Sequence, residues 1–405
     1  MDFGLRIKLS VMMFLQYAVL GTWFVPLASY LLASPEEGGL AFTGTQVGHL
    51  YSTPAIAAIV SPFFIGIVAD RYFSTERCLG VLHLAGAVFL YLATRAEAGQ
   101  FGLMFSLVLL HTLCYLPTMA LTNSISFRNM DKPEKQFPSV RVFGTIGWMV
   151  VGLVVGLQTF GLNEVSAGPL YVASGLSALL GCFCFILPHT PPTRERGESL
   201  AFVRALSMMK DRSFSIFIAV ALLISIVLAF YYQLANPFLH HLDDLDTSIE
   251  LRPQALMTVG QFTEMLLLPF LPWFILKLGI RWTLALGMAA WCLRYLIFSG
   301  GSLWPVILIG LPLHGICYDF FFVMSQIYVD EKAPPDLRAS AQGFLACVTL
   351  GLGMYLGNLL AGYTNDWATV EGVTNWATLW LVPFSGALVS LALFLLFFRE
   401  PGKRH

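Results

Sequence analysis

The chain has 405 residues, 57% of them hydrophobic and only 12% charged, with a formal net charge of −1 at pH 7. A soluble protein of this length has no use for so much apolar surface, and the mean hydropathy of +0.73 points to a chain that crosses a bilayer many times. The near-neutral balance offers no broad basic face to a nucleic acid.

Apolar segments fall at about 9–33, 45–69, 78–94, 101–127, 138–160, 168–187, 213–239, 252–276, 282–298, 303–329, 338–364 and 376–398. They make twelve candidate spans, near the ~20 residues a bilayer crossing takes. The first run is too long for a signal-peptide core and lacks a cleavage pattern, so it is expected to be retained. A Pro- and charge-rich stretch, 188–212, divides the chain into an N-terminal bundle of six (1–187) and a C-terminal bundle of six (213–405). The seven cysteines mostly sit in apolar runs without metal-ligand spacing and read as reduced packing residues. No cofactor or metal site is expected.

Taken in order, the loop after span 2 carries Gly66-Ile-Val-Ala-Asp70-Arg71, with Arg77 farther on. A glycine there permits close helix approach, and Asp70 can pair with a basic group or helix end; an ordinary charged turn is the plainer alternative. Span 4 holds His111-Thr-Leu-Cys-Tyr115, which matches His314-Gly-Ile-Cys-Tyr318 in span 10. Each is followed by a loop and an arginine opening the next span, Arg141 and Arg338. Corresponding places in a six-plus-six chain favour duplication. Both histidines read as interhelical hydrogen-bonders rather than proton carriers.

On span 5, Arg141, Thr145 and Trp148 are spaced i, i+4, i+7 and share one face. Gln233 and Asn236 on span 7, and Gln261 and Glu264 on span 8, are spaced i, i+3. Arg294 falls inside span 9, where snorkelling is the expected explanation. Span 10 carries Tyr318, Asp319 and Phe322 on one flank. Asp319 lies mid-run on a side chain too short to reach an interface, at a cost of roughly 2.5–3.5 kcal/mol on insertion scales. Such a residue faces a bundle interior and marks a functional site by default. Lysine and arginine are concentrated in segments that become cytoplasmic if the N-terminus is inside, leaving Arg95 and Arg252 outside among acids such as Glu36, Glu37, Asp243 and Glu250. Both termini are therefore expected to be cytoplasmic.

The Gly66-to-Arg71 text resembles the loop 2–3 signature of the major facilitator superfamily, although Tyr72-Phe-Ser-Thr-Glu76 stands where glycine and a tighter basic cluster are usual. A narrower resemblance is to the bacterial nucleoside:proton symporters. It rests on Phe14-Leu-Gln-Tyr-Ala-Val-Leu-Gly-Thr-Trp23, Pro117-Thr-Met-Ala-Leu-Thr-Asn123, Phe137-Pro-Ser-Val-Arg141-Val-Phe-Gly-Thr145-Ile-Gly-Trp148, Gln261-Phe-Thr-Glu264, Tyr318-Asp319-Phe-Phe and Arg338-Ala-Ser-Ala-Gln-Gly343, spread in order over nearly the whole chain. Trp148 and Tyr318 stand where phenylalanine is expected, and the text around Gln233 and Asn236 aligns only loosely.

The resemblance implies an all-α membrane protein of twelve helices in two pseudo-symmetric bundles, in the inner membrane of a bacterium. It implies proton-coupled nucleoside symport by alternating access, with Asp70 and Arg71 in gating. It also implies that Arg141, Thr145, Trp148, Gln233, Asn236, Gln261, Glu264, Tyr318, Asp319 and Phe322 form a central nucleoside pocket. Their chemistry suits a nucleoside, with amides for base edges, carboxylates for ribose hydroxyls and aromatic faces for the base. Each has a bland alternative. Arg141 near a span end reads equally as an anchor, Thr145 as a helix back-bonder, and Trp148, Tyr318 and Phe322 as packing aromatics. Gln233, Asn236 and Gln261 have helix-bridging alternatives. Asp319 is expected to carry the proton and Glu264 to grip the ribose, the reverse being less favoured. The expected partners are a nucleoside, protons and the lipid bilayer, with no nucleic acid, and the chain is expected to be a monomer. A proton-coupled sugar carrier is the runner-up. A sensor has no signalling domain in the sequence to support it, and an enzyme has no nucleophile or metal motif.

Overall fold

The computed structural model describes residues 2–64, 73–191, 206–245, 252–335 and 337–399. Helix dominates them. Among the described residues, eight helices are long and apolar enough to cross a membrane, and the bent pair Leu303–Gly310 and Leu313–Lys332 makes a ninth if it is one span. One of the eight, Pro253–Ser299, covers spans 8 and 9 together. With Gly168–Cys184 and the pair Gly44–Tyr51 and Thr53–Phe64, the helices are consistent with twelve runs. The paired strands among the described residues are Thr369–Val370 and Val373–Thr374, a tight hairpin joining spans 11 and 12.

The helix breaks follow local chemistry. Span 1 runs Phe3–Trp23, and beyond Pro26 the chain resumes as Leu27–Leu32. Spans 8 and 9 part at Gly279, whose φ of 75° and ψ of 170° only glycine adopts without strain. Span 5 begins at Pro133, a residue suited to a first helical position, and carries Pro138 within its early turns. Arg141 is therefore more than two turns inside the helix, deeper than the hydropathy boundary at 138 placed it.

Span 10 is the least regular. Two π-helical segments, Val306–Gly310 and Asp319–Val323, flank the α-helical Leu313–Tyr318, with a 50° bend near Pro312. Span 11 carries another, Cys347–Gly353. A π segment holds a spare residue and marks functional stretches of helices more often than inert ones.

The chain divides into two compact units, Met1–Gly197 with Arg252–Ala255, and Glu198–Leu251 with Leu256–His405. In the first, span 5 lies so close to span 1 that Gly147 meets the backbone of Phe14. In the second, span 10 lies on span 8 with equal intimacy: a Cβ on Gly315 would stand 2.7 Å from the backbone nitrogen of Glu264. Such contacts are how membrane helices gain dispersion energy when lipid is as apolar as they are.

Candidate functional site

The second unit holds the acids. Asp319 is 0% exposed, and neither carboxylate oxygen has a hydrogen-bond partner. It opens the π segment Asp319–Val323, so the helix is locally widened where the acid leaves the backbone. Glu264 is half-buried, and the two carboxyl groups are close enough to act on each other electrostatically. The Gly315 contact explains why: it seats span 10 directly on Thr263 and Glu264, one turn from Asp319.

Spans 7, 8 and 10 of the same unit carry further polar and aromatic groups. Tyr232 lies within electrostatic reach of Glu264 and Tyr318. Gln233 is 0% exposed, and both its amide oxygen and its amide nitrogen lack partners. Asn236 is buried as well, and Gln261 is half-buried. Tyr318 is half-buried, with its ring 5.4 Å from that of Phe322. Phe322 is buried and also meets Phe321 edge-on, so it backs the tyrosine. Buried donors and acceptors are almost always paired in a folded chain. Gln233 and Asp319 are two fully buried polar side chains of this unit whose oxygens lack partners.

In the first unit, Arg141 folds over Tyr17, its guanidinium carbon 4.0 Å from the ring centroid. Thr145 is half-buried one turn on, and Trp148 is half-buried against Gly21 of span 1. The i, i+4, i+7 face thus lies along span 1, with Gly144 and Gly147 giving it room. Asp70 and Arg71 lie outside the described residues. Glu76, from the text that departs from the superfamily loop, is buried; His189 Nδ1 lies 2.8 Å from Oε1, and Thr190 N donates to Oε2 at 2.9 Å.

Sequence reasoning missed two groups. One is a buried chain in the first unit: Gln16 Nε2 donates to Thr118 Oγ1 at 2.8 Å, and His83 Nε2 donates to Gln16 Oε1 at 2.9 Å. Gln16 stands in the span 1 text, and a lone amide in an apolar helix was the available signal. The other is Arg294. It does not snorkel: it is 0% exposed, held by His314 Nδ1 at 2.9 Å and by the face of Tyr231 at 3.6 Å. Snorkelling is what span 9 suggests as an isolated helix, but burial is decided by the neighbours that spans 7 and 10 supply.

The two histidines of the repeated motif behave alike. His111 lies 5.8 Å from Tyr115, and His314 lies 5.8 Å from Tyr318. His111 Nδ1 donates to Gly86 O at 2.9 Å, so each ring bonds across to a neighbouring helix.

A family model described as "Nucleoside H+ symporter" matches residues 3–403. The chain is 38% identical to YegT of Escherichia coli (strain K12), over 97% of this chain and 93% of that one. It is 33% identical to the xanthosine permease of the same organism, over 97% and 96%. Among solved structures, the crystal structure of nucleoside transporter NupG superposes with a TM-score of 0.88 at 29% identity, covering 98% of this chain and 100% of that one.

Proposed function

The chain belongs to the nucleoside H+ symporter family, and from that premise we propose that Asp319 carries the coupling proton while Glu264 grips the nucleoside. The fold is that of the major facilitator superfamily, and the activity is proton-coupled nucleoside transport rather than catalysis. The sugar-carrier reading is set aside, because the matching family is a nucleoside one.

The observation that carries the assignment is the pair of unpartnered oxygens on a fully buried carboxyl. A buried acid without donors is costly as an anion and comfortable as a neutral acid. Asp319 therefore takes up a proton readily and releases it when the surroundings change. Glu264, half-buried and within electrostatic reach of Tyr232, accepts from ribose hydroxyls in this reading. Gln233, Asn236 and Gln261 supply amide edges for the base, Tyr318 backed by Phe322 supplies its stacking face, and Arg141, Thr145 and Trp148 are the contribution of span 5.

One proton falling through ~100 mV yields about 2.3 kcal/mol, and each pH unit adds about 1.4. Together they support a roughly few-hundredfold gradient of a neutral solute. On the charge distribution, both termini lie on the cytoplasmic side of a bacterial inner membrane. A single chain holds all the named groups, so the monomer is the working unit, with Asp70 and Arg71 in the gating loop.

The test is uptake into liposomes holding the purified protein. Asp319→Asn is expected to keep nucleoside exchange and lose accumulation against a gradient. Undiminished accumulation in that variant refutes the role.

A further inference from the structure

Span 1 opens with an uneven face. Ile7, Val11 and Phe14 follow one another at i, i+4 and i+7 along one side of the helix Phe3–Trp23. Ser10 sits among them, and its small side chain leaves a hollow where another large residue would stand. Phe143 of span 5 and Leu179 and Phe183 of span 6 complete the walls of a groove that encloses about 660 Å³. That volume is within the ~300–1,000 Å³ of small-molecule cavities. At Phe14 span 5 shuts the deep end, because Gly147 meets the Phe14 backbone. All of these residues belong to the first unit.

An outward apolar face is ordinary in a membrane protein, but a groove with a cation at its mouth is not. Arg6 lines the same groove and is exposed, and its guanidinium pairs with no carboxylate among the described residues. Asp2, the acid nearest in sequence, is engaged at Gly4 N, where it caps the helix. Lys8 brings a second positive charge to this end and donates to Ile186 O at 2.9 Å, which pins the start of span 1 to the end of span 6. Ser10 adds a hydroxyl one turn below Arg6.

The depth of the groove narrows the choice of occupant. Arg6 and Lys8 stand just before the apolar run of span 1, at the level of lipid headgroups. From Arg6 to Leu15, the deepest lining residue of this helix, is about 14 Å at ~1.5 Å per residue. One leaflet supplies about 15 Å of hydrocarbon, half of the ~30 Å core. The groove therefore reaches about as far into the bilayer as one acyl chain.

We propose that this groove binds an anionic glycerophospholipid of the leaflet at the N-terminal end of span 1, with the phosphate on Arg6 and one acyl chain along Ile7, Val11 and Leu179. A guanidinium takes phosphate oxygens through paired N–H donors, and the chain covers walls that water leaves poorly solvated. A soluble phosphate has no apolar part for those walls, and a zwitterionic lipid brings its own cation toward Arg6 and Lys8. The site is separate from the carboxyl groups of the second unit and stands whichever acid carries the proton.

Native mass spectrometry of the purified full chain, titrated with dioleoyl-phosphatidylglycerol and with dioleoyl-phosphatidylcholine, compares two headgroups on identical chains. The wild type is expected to hold its first phosphatidylglycerol roughly 5-fold more tightly than phosphatidylcholine, the margin one basic side chain gives beside an anionic headgroup. Arg6→Gln, at an exposed position, brings phosphatidylglycerol to the phosphatidylcholine level and leaves the latter unchanged. Leu179→Trp fills the groove from its open side and weakens both lipids; Val11→Phe enlarges the same walls and takes its place should that variant fail to fold. Glycerol 3-phosphate, which has the phosphate without the chains, is expected not to compete. Equal affinity for the two lipids in the wild type, a headgroup preference that survives Arg6→Gln, or phosphatidylglycerol binding untouched by a filled groove each overturns the proposal. Displacement by glycerol 3-phosphate at equal concentration makes this a phosphate site and overturns the lipid assignment.

Discussion

The guanidinium carbon of Arg141 stands 4.0 Å from the centroid of the Tyr17 ring, which joins span 5 to span 1 by a cation–π contact inside one unit. Gly144 makes room for it. A Cβ at that position would lie 2.6 Å from Tyr17 Cδ2 and 2.7 Å from Arg141 Nη1, so alanine forces one of them to move. A contact of this kind is worth about 0.5–2 kcal/mol. If Arg141 is held there for the nucleoside, Gly144→Ala raises the KM of exchange by roughly 2- to 30-fold. Arg141→Lys does the same, because an ammonium lacks the planar face and fork. An anchor at a membrane surface leaves KM where it is, so the exchange KM of these two variants decides between the readings.

Gln16 holds the other polar junction of that unit. The Thr118 hydroxyl donates to Tyr115 O, so its oxygen is left to accept from Gln16 Nε2. That orientation turns Gln16 Oε1 to His83, whose Nε2 must donate. Gln16→Leu leaves the buried His83 Nε2–H without its acceptor, at about 1–3 kcal/mol, while Thr118 keeps its bond to Tyr115 O. The expected result is a lower melting temperature of the purified protein. Pairing Gln16→Leu with Thr118→Val is expected to cost less than the sum of the single changes, since both remove one bond. Additive losses in the melting curves count against the network.

Asp211 and Lys332 tie the start of span 7 to the end of span 10 at 2.9 Å. The backbone N–H of Phe214, then Lys332, hold the Asp211 carboxyl below the ordinary aspartate value. A depressed native pKa means the contribution is fully present above the unfolded value, about 3.9, and is lost as pH falls through the lower native one. Because Asp211 is 43% exposed, the ion pair is worth under ~1 kcal/mol. Lys332→Gln is therefore expected to lower thermal stability slightly at pH 7 and to match wild type at the acid end, where Asp211 is protonated in both. Equal melting temperatures at pH 7 contradict this.

Much of the fold and part of the site are legible in the amino acids alone. Asp319 stands out as a charge in an apolar run, and its full burial agrees with that reasoning. The helical spacing of Arg141, Thr145 and Trp148 defines a face, but not that the face lies along span 1, because a spacing rule knows one helix at a time. Arg294 is misjudged from sequence for the same reason. The π segments of spans 10 and 11 have no sequence signal comparable to an apolar period, since one extra residue per turn changes no composition. The glycines that seat span 10 on span 8 are visible as letters, but their partners are not.

Tyr318 offers the clearest separation of stacking from hydrogen bonding. Its ring lies 5.4 Å from Phe322 and 5.8 Å from His314, so two neighbours on its own helix fix its plane and leave it half-buried. A ring already held in place loses little entropy when a base settles on it, so the stacking energy goes into affinity. Stacking on an aromatic side chain is worth about 1–3 kcal/mol per base, so Tyr318→Leu weakens nucleoside binding roughly 5- to 150-fold. Tyr318→Phe keeps the face and loses only the hydroxyl. If the base lies on this ring, calorimetric titration with uridine shows near wild-type affinity for Tyr318→Phe and a large loss for Tyr318→Leu. Equal losses in both variants would make the hydroxyl the contact and return the aromatic face to packing. Phe322→Leu discriminates further: the phenylalanine backs the tyrosine without an open face of its own, so its loss is smaller than that of Tyr318→Leu and acts through the orientation of that ring.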